Sequence, residues 1–156
     1  MHHIEGGVCA PKGFKAGGVH CGIRKNRVKR DLSLIISEVP ASASAVYTQN
    51  LVKGAPLYVT QRNLMDGIAQ AAICNSGNAN TCNADGEDVA WQMCQLTAEA
   101  TGVSPNNVIV ASTGVIGQPL PITPIREGMP SLAAAVHDNG SQEAAEGIMT
   151  DRKSVV

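Results

Sequence analysis

The sequence predicts an α/β domain, and three observations carry that prediction. Val108-Ile109-Val110-Ala111 is a short apolar run that breaks into Ser112-Thr113-Gly114, which reads as a buried strand ending in a turn. Leu32, Leu34 and Ile36 recur at every second position, as on a half-buried strand. Val89, Met93, Leu96 and Ala100 recur at helical spacing. Strand and helix patterns therefore interleave along a chain of 156 residues, one domain's worth and long enough for a real core.

Composition narrows the classes. Apolar residues make up 44% but aromatics only 3%, so the core has to be built from Val, Ile, Leu, Ala and Met. A net charge of −1 with 16% charged residues gives no support to nucleic-acid or membrane-surface binding. No apolar run approaches the length of a membrane span, and residues 1–8 lack the basic start and apolar centre of a signal peptide. Five cysteines, an odd number without a CxxC pair, fit reduced thiols in a cytoplasmic protein. No metal site is expected, because the His and Cys residues show none of the close pairings that metal ligands favour.

In chain order, residues 6–22 hold six glycines and Pro11 and read as a loop, although neither phosphate-binding glycine pattern is present. The run Arg24-Lys25-Asn26-Arg27-Val28-Lys29-Arg30 reads as a solvated hairpin loop. The alternating strand follows over residues 31–38 and is ended by Pro40. Residues 43–48 then read as its antiparallel partner, residues 56–60 as a third strand and residues 69–75 as a fourth. A helix is predicted over residues 85–101, opened by Asp85, with Asp88 in capping-box position, and stopped by Gly102. A second spans residues 122–136, with Ile125, Met129, Leu132, Ala133 and Val136 on its apolar stripe and Pro130 inside it. His137 follows, placed to favour the helix dipole. A short third helix covers residues 141–149, with Ser141 as its cap.

Two polar corners stand at predicted strand ends: Asn75-Ser-Gly-Asn-Ala-Asn-Thr81, and Ser112-Thr113-Gly114. Both are also ordinary turn compositions. If the two strands run the same way in one sheet, however, the corners share the edge where α/β proteins bind ligands. Small residues there free main-chain N–H groups, and Thr113 adds a hydroxyl, the donors that an oxyanion hole requires. Asn75, Asn78 and Asn80 are the further candidates for substrate contact.

Four segments then carry a resemblance: Val8-Cys-Ala-Pro-Lys-Gly-Phe-Lys-Ala-Gly-Gly-Val19, Asn75-Ser-Gly-Asn-Ala-Asn80, Val110-Ala-Ser-Thr-Gly-Val-Ile-Gly117 and Ala144-Ala-Glu-Gly-Ile-Met-Thr150. In this order they resemble the N-terminal, or α, chain of the ornithine acetyltransferases, the bifunctional glutamate N-acetyltransferases of arginine biosynthesis. The resemblance implies a layered α/β sandwich and a precursor that cuts itself at an Ala–Thr bond. The new N-terminal threonine then moves acetyl from N-acetylornithine to glutamate, with acetyl-CoA as a further acetyl donor in some members. It implies that Thr113 and Gly114 form the oxyanion hole, that Thr150 contacts substrate, that no cofactor is needed, and that α pairs with a β chain in a heterotetramer.

The resemblance spans residues 1–150, and residues 151–156 read as a divergent tail. The family's Thr-Thr pair is a single Thr150 here, and its Lys-Gly segment and scissile Ala–Thr bond have no counterpart. The 156-residue chain is therefore expected to be inactive alone. Two other readings share the residues: a self-processing amidase or aminopeptidase of related architecture, and a non-catalytic domain that binds a small molecule or a partner chain through an exposed apolar side.

Overall fold

The computed structural model describes residues 4–25 and 28–150. Its sheet has four strands: β1 (Phe14–Val19), β2 (Leu32–Ser42), β3 (Ile68–Asn78) and β4 (Val108–Val115), in that spatial order. The first three run antiparallel to their neighbours, and β3 pairs parallel with β4. Parallel neighbours need a long crossover. Helix α2 (Gly86–Thr101) supplies it.

The period of two sorts the sheet's side chains. Leu32 and Leu34, Ile73, and Val108 and Val110 share one face in register and pack against Val59 of α1 (Ala55–Asn63), Val89 and Met93 of α2, and Ile125, Met129 and Leu132 of α3 (Ile122–Ala134). The opposite face carries α4 (Ser141–Ile148), whose Gly147 leaves room for Ser33: a Cβ there would stand 2.8 Å from the Ser33 Cβ. Helices thus lie on both faces, which is the α/β layering expected.

Three expectations are corrected. Residues 14–19 are strand, not loop, because Gly17 and Gly18 serve packing: a Cβ would stand 2.5 Å from Ala135 O on one face and 2.1 Å from Glu143 O on the other. Residues 43–48 form no strand; β2 instead runs through Pro40 to Ser42, with Pro40 inside the register break between Ile36 and Ala41, where a missing N–H costs no ladder bond. Residues 56–60 are the middle of α1, where Pro56 occupies the first turn that proline tolerates.

Smaller differences concern caps. Gly102 closes α2 in the left-handed conformation as expected, donating to Ala98 O at 2.8 Å. Asp85 stands at the N-cap but its side chain makes no capping bond. Ser141 does not cap its own helix; its hydroxyl donates to Gly6 O at 2.5 Å and accepts from Cys9 N at 3.0 Å, pinning the N-terminal turn. His137 pairs backbone to backbone with Ala16 at the free edge of β1. Residues 151–156, the divergent tail, lie outside the described residues, as do Asn26 and Arg27 of the basic run.

Candidate active site at the ends of two parallel strands

The two polar corners meet. Across β3 and β4, Ser76 stands opposite Thr113 and Gly77 opposite Gly114, so both corners lie at the carboxyl ends of neighbouring parallel strands. The ladder is irregular here: Asn78 is paired with both Thr113 and Val115. A bulge of this kind leaves backbone groups out of the ladder and re-aims them.

Glycine is required at both positions. Gly114 has a φ of 133°, and a Cβ there would lie 2.4 Å from Gly77 C and 2.6 Å from Asn78 N. Gly77 has a φ of 106°, and its Cβ would lie 2.8 Å from the Arg24 Cγ. Backbone can approach backbone this closely only without side chains.

An open cavity of about 590 Å³ lies over this junction, lined by Arg24, Gly77, Thr113, Gly114, Val115 and Thr150. The volume is within the range of roughly 300–1,000 Å³ usual for small-molecule sites. Thr113, Gly114 and Thr150, assigned to one site by the sequence, therefore line one cavity. Thr150 arrives there because α4 crosses the strand ends, with Ser76 Oγ donating to Gly147 O at 2.6 Å.

The asparagines, candidates for substrate contact, here bond the main chain of their own corner. Asn75 Nδ2 donates to Asn78 O at 2.9 Å. Asn78 Nδ2 reaches Gln118 O at 3.0 Å and Pro119 O at 3.2 Å, while its Oδ1 accepts from Asn80 N at 2.7 Å. Asn80 Nδ2 donates to Gly86 O at 2.8 Å, and its φ of 47° is one that asparagine tolerates. These buried side chains hold the corner's shape through main-chain partners, although Asn75 Oδ1 is left without one, and none of the three is among the described residues lining the cavity.

Gly77, Arg24 and Val115 also line the cavity, and none is singled out by sequence reasoning. Gly77 sits inside the Asn-Ser-Gly-Asn motif, which reads as turn chemistry. Arg24 was hidden in a basic run that reads as solvated. Its loop is in fact held down by Asp31, a fully buried carboxylate that accepts from Cys21 N at 2.6 Å, Gly22 N at 3.2 Å and Arg24 N at 2.9 Å.

No cysteine is among the described residues that line this cavity. Burial, with the Asp31 charge adding to it, pushes the Cys21 thiol up to about 12. Burial also pushes the Cys94 thiol up to about 12 and that of Cys74 to about 11. These thiols stay protonated and unreactive near neutral pH. Among the described residues no group of His, Cys, Asp and Glu side chains is arranged to hold a metal ion, and no helix is long and apolar enough to cross a membrane.

A family model described as the ArgJ family matches residues 15–154. The chain belongs to the ArgJ family. The arginine biosynthesis bifunctional protein ArgJ of Symbiobacterium thermophilum is 46% identical over 152 residues, covering 96% of this chain and 38% of that protein. The ArgJ protein of Gloeobacter violaceus is 49% identical over 150 residues, covering 94% of this chain and 36% of its own length. The chain thus spans little more than a third of these curated relatives.

The fold agrees with solved ArgJ structures. That of the Bacillus halodurans protein superposes with a TM-score of 0.86 at 41% identity, covering 94% of this chain and 77% of that one. Ornithine acetyltransferase of Mycobacterium tuberculosis, solved in complex with ornithine, gives 0.87 at 37% identity, covering 94% of this chain and 80% of that one.

Proposed function

We propose that these residues form the oxyanion-bearing part of a cytoplasmic acyltransferase that moves acetyl from N-acetylornithine to glutamate. The carrying observation is that Thr113, Gly114 and Thr150 line one cavity where β3 and β4 end. The donors at Thr113 and Gly114 receive the developing negative charge on the acetyl carbonyl oxygen, and Thr150 contacts substrate. The nucleophile is the N-terminal threonine freed when a longer precursor cuts its own Ala–Thr bond. Ala100–Thr101 does not serve, since it closes α2 with the Thr101 hydroxyl donating to Thr97 O at 2.7 Å.

Two observations support the precursor and its partner chain. This chain covers 38% of a curated relative but 77% of a solved chain, so the solved chains are far shorter, as a precursor divided in two would give. Beside the cavity, Val115 and Ile116 are 48% and 62% exposed, an apolar rim that the β chain of a heterotetramer would cover. The 156-residue chain alone is inactive on this reading.

The test joins residues 1–150 to the remainder of the Symbiobacterium thermophilum relative and assays acetyl transfer from N-acetylornithine to glutamate. Transfer is expected. Thr113→Val is expected to lower kcat roughly 10²–10³-fold, the usual loss for one oxyanion donor. A folded chimera without transfer overturns the reading, and amide hydrolysis in its place favours the amidase. Turnover by the isolated 156-residue chain would overturn the division of labour.

A further inference from the structure

Among the described residues that line the cavity, Arg24 carries the one charged side chain. Three features fix its place. Asp31 clamps its backbone N–H at 2.9 Å and is itself tied to the end of β3, since Ser76 N donates to Asp31 O at 2.9 Å. Gly77 leaves the space that its aliphatic stem occupies, because a Cβ there would stand 2.8 Å from the Arg24 Cγ. The guanidinium then donates through Nη2 to Met149 O, which orients it across the strand ends toward Thr150.

Its charge is treated differently from those of two other arginines. Arg30 is paired with Glu146 and Arg62 with Glu87, whereas among the described residues no carboxylate lies within ion-pair distance of the Arg24 guanidinium. A guanidinium has five N–H donors in a planar fork that matches a carboxylate. Met149 O takes one of them. A positioned cation with donors to spare, beside an oxyanion corner, suits a molecule with an acyl carbonyl and a carboxylate close together. An N-acyl α-amino acid is such a molecule.

We infer that Arg24 is the specificity residue of this cavity, holding the α-carboxylate of an N-acylated amino acid whose acyl carbonyl lies against Thr113 and Gly114. The inference rests on the acyl-site reading above and adds to it a residue and a recognition rule: the site selects for the free carboxylate.

The test uses the isotope-labelled 156-residue chain and follows its amide resonances during titration with N-acetyl-L-ornithine and with its carboxamide, which keeps the acetyl group but has no carboxylate. The unaltered chain is expected to bind the carboxylate form at least about tenfold more tightly, the loss usual for a charge-assisted hydrogen-bond pair, with shifts at the Thr113 and Gly114 amides. Arg24→Gln should bind both forms equally weakly, and Arg24→Lys should recover part of the preference, because a point charge replaces the fork. Unchanged resonances around Asp31 in the variants would exclude a folding defect. If Arg24→Gln keeps the preference, the Arg24 assignment falls while the acyl site stands. If the ligands bind without moving the Thr113 and Gly114 resonances, the acyl-site reading falls; if the unaltered chain binds neither form while the chimera described above transfers acetyl with the same kcat/KM before and after Arg24→Gln, the Arg24 assignment falls and the acyl site stands.

Discussion

Gly114 shows how a single residue sets the chemistry of the junction. Its φ of 133° and the 2.4 Å that would separate an added Cβ from Gly77 C mean that a side chain forces β3 and β4 apart where the proposed oxyanion donors converge. Gly114→Ala is expected to cost about 2–3 kcal/mol, combining a left-handed backbone with overpacking against main chain, measured as a shift in the urea midpoint. A change below about 0.5 kcal/mol would show that the strands can separate freely there. Gly77 is under the same constraint, but the atom it spares belongs to the Arg24 stem, so the two glycines keep room for different things.

At the scale of elements, the exposed edge of β4 explains why residues 55–63 are a helix. As the last strand in the order, β4 has one side without a strand partner, and such an edge must be covered or blunted. Helix α1 covers it with two polar side chains one turn apart. Thr60 Oγ1 donates to Val110 O at 2.8 Å and accepts from Val110 N at 3.1 Å, while Asn63 Nδ2 donates to Val108 O at 2.8 Å. A strand places residues three apart on opposite faces; a helix brings them to the same one. Thr60→Val keeps the shape and leaves both Val110 groups unpaired in the interior, an expected loss of about 2–4 kcal/mol. Equilibrium unfolding measures it, and a loss under about 1 kcal/mol would mean that the edge finds other partners.

For the whole molecule, three wholly or partly buried thiols make stability depend on alkaline pH. Cys21 and Cys94 titrate near 12 and Cys74 near 11 in the folded chain, against an ordinary 9. Above that ordinary value the unfolded chain gives up thiol protons that the folded chain keeps, so unfolding becomes easier as pH rises. The contribution is complete below about pH 9 and is lost by about pH 12. Urea midpoints should fall across that interval, and a variant with alanine at the three cysteines should fall less steeply. Equal slopes for the two proteins would refute the linkage.

Much of this was legible in the sequence, for reasons that differ from element to element. The Leu32, Leu34 and Ile36 alternation, the helical stripe of α2 and the Gly102 stop depend on local periods and local caps, so they can be read from neighbours in the chain. The resemblance, carried by short ordered motifs, assigns Thr113, Gly114 and Thr150 to one site, and all three line one cavity. What the tertiary structure alone decided involves groups distant in the chain. Gly17 and Gly18 read as loop residues until Ala135 and Glu143 pack against them, and residues 56–60 read as strand until the open edge of β4 calls for Thr60 and Asn63. Arg24 reads as a solvated charge until a buried Asp31 and a side chain missing at Gly77 lead it into the site. Periodicity records which face an element buries; it carries no record of what the element will be buried against.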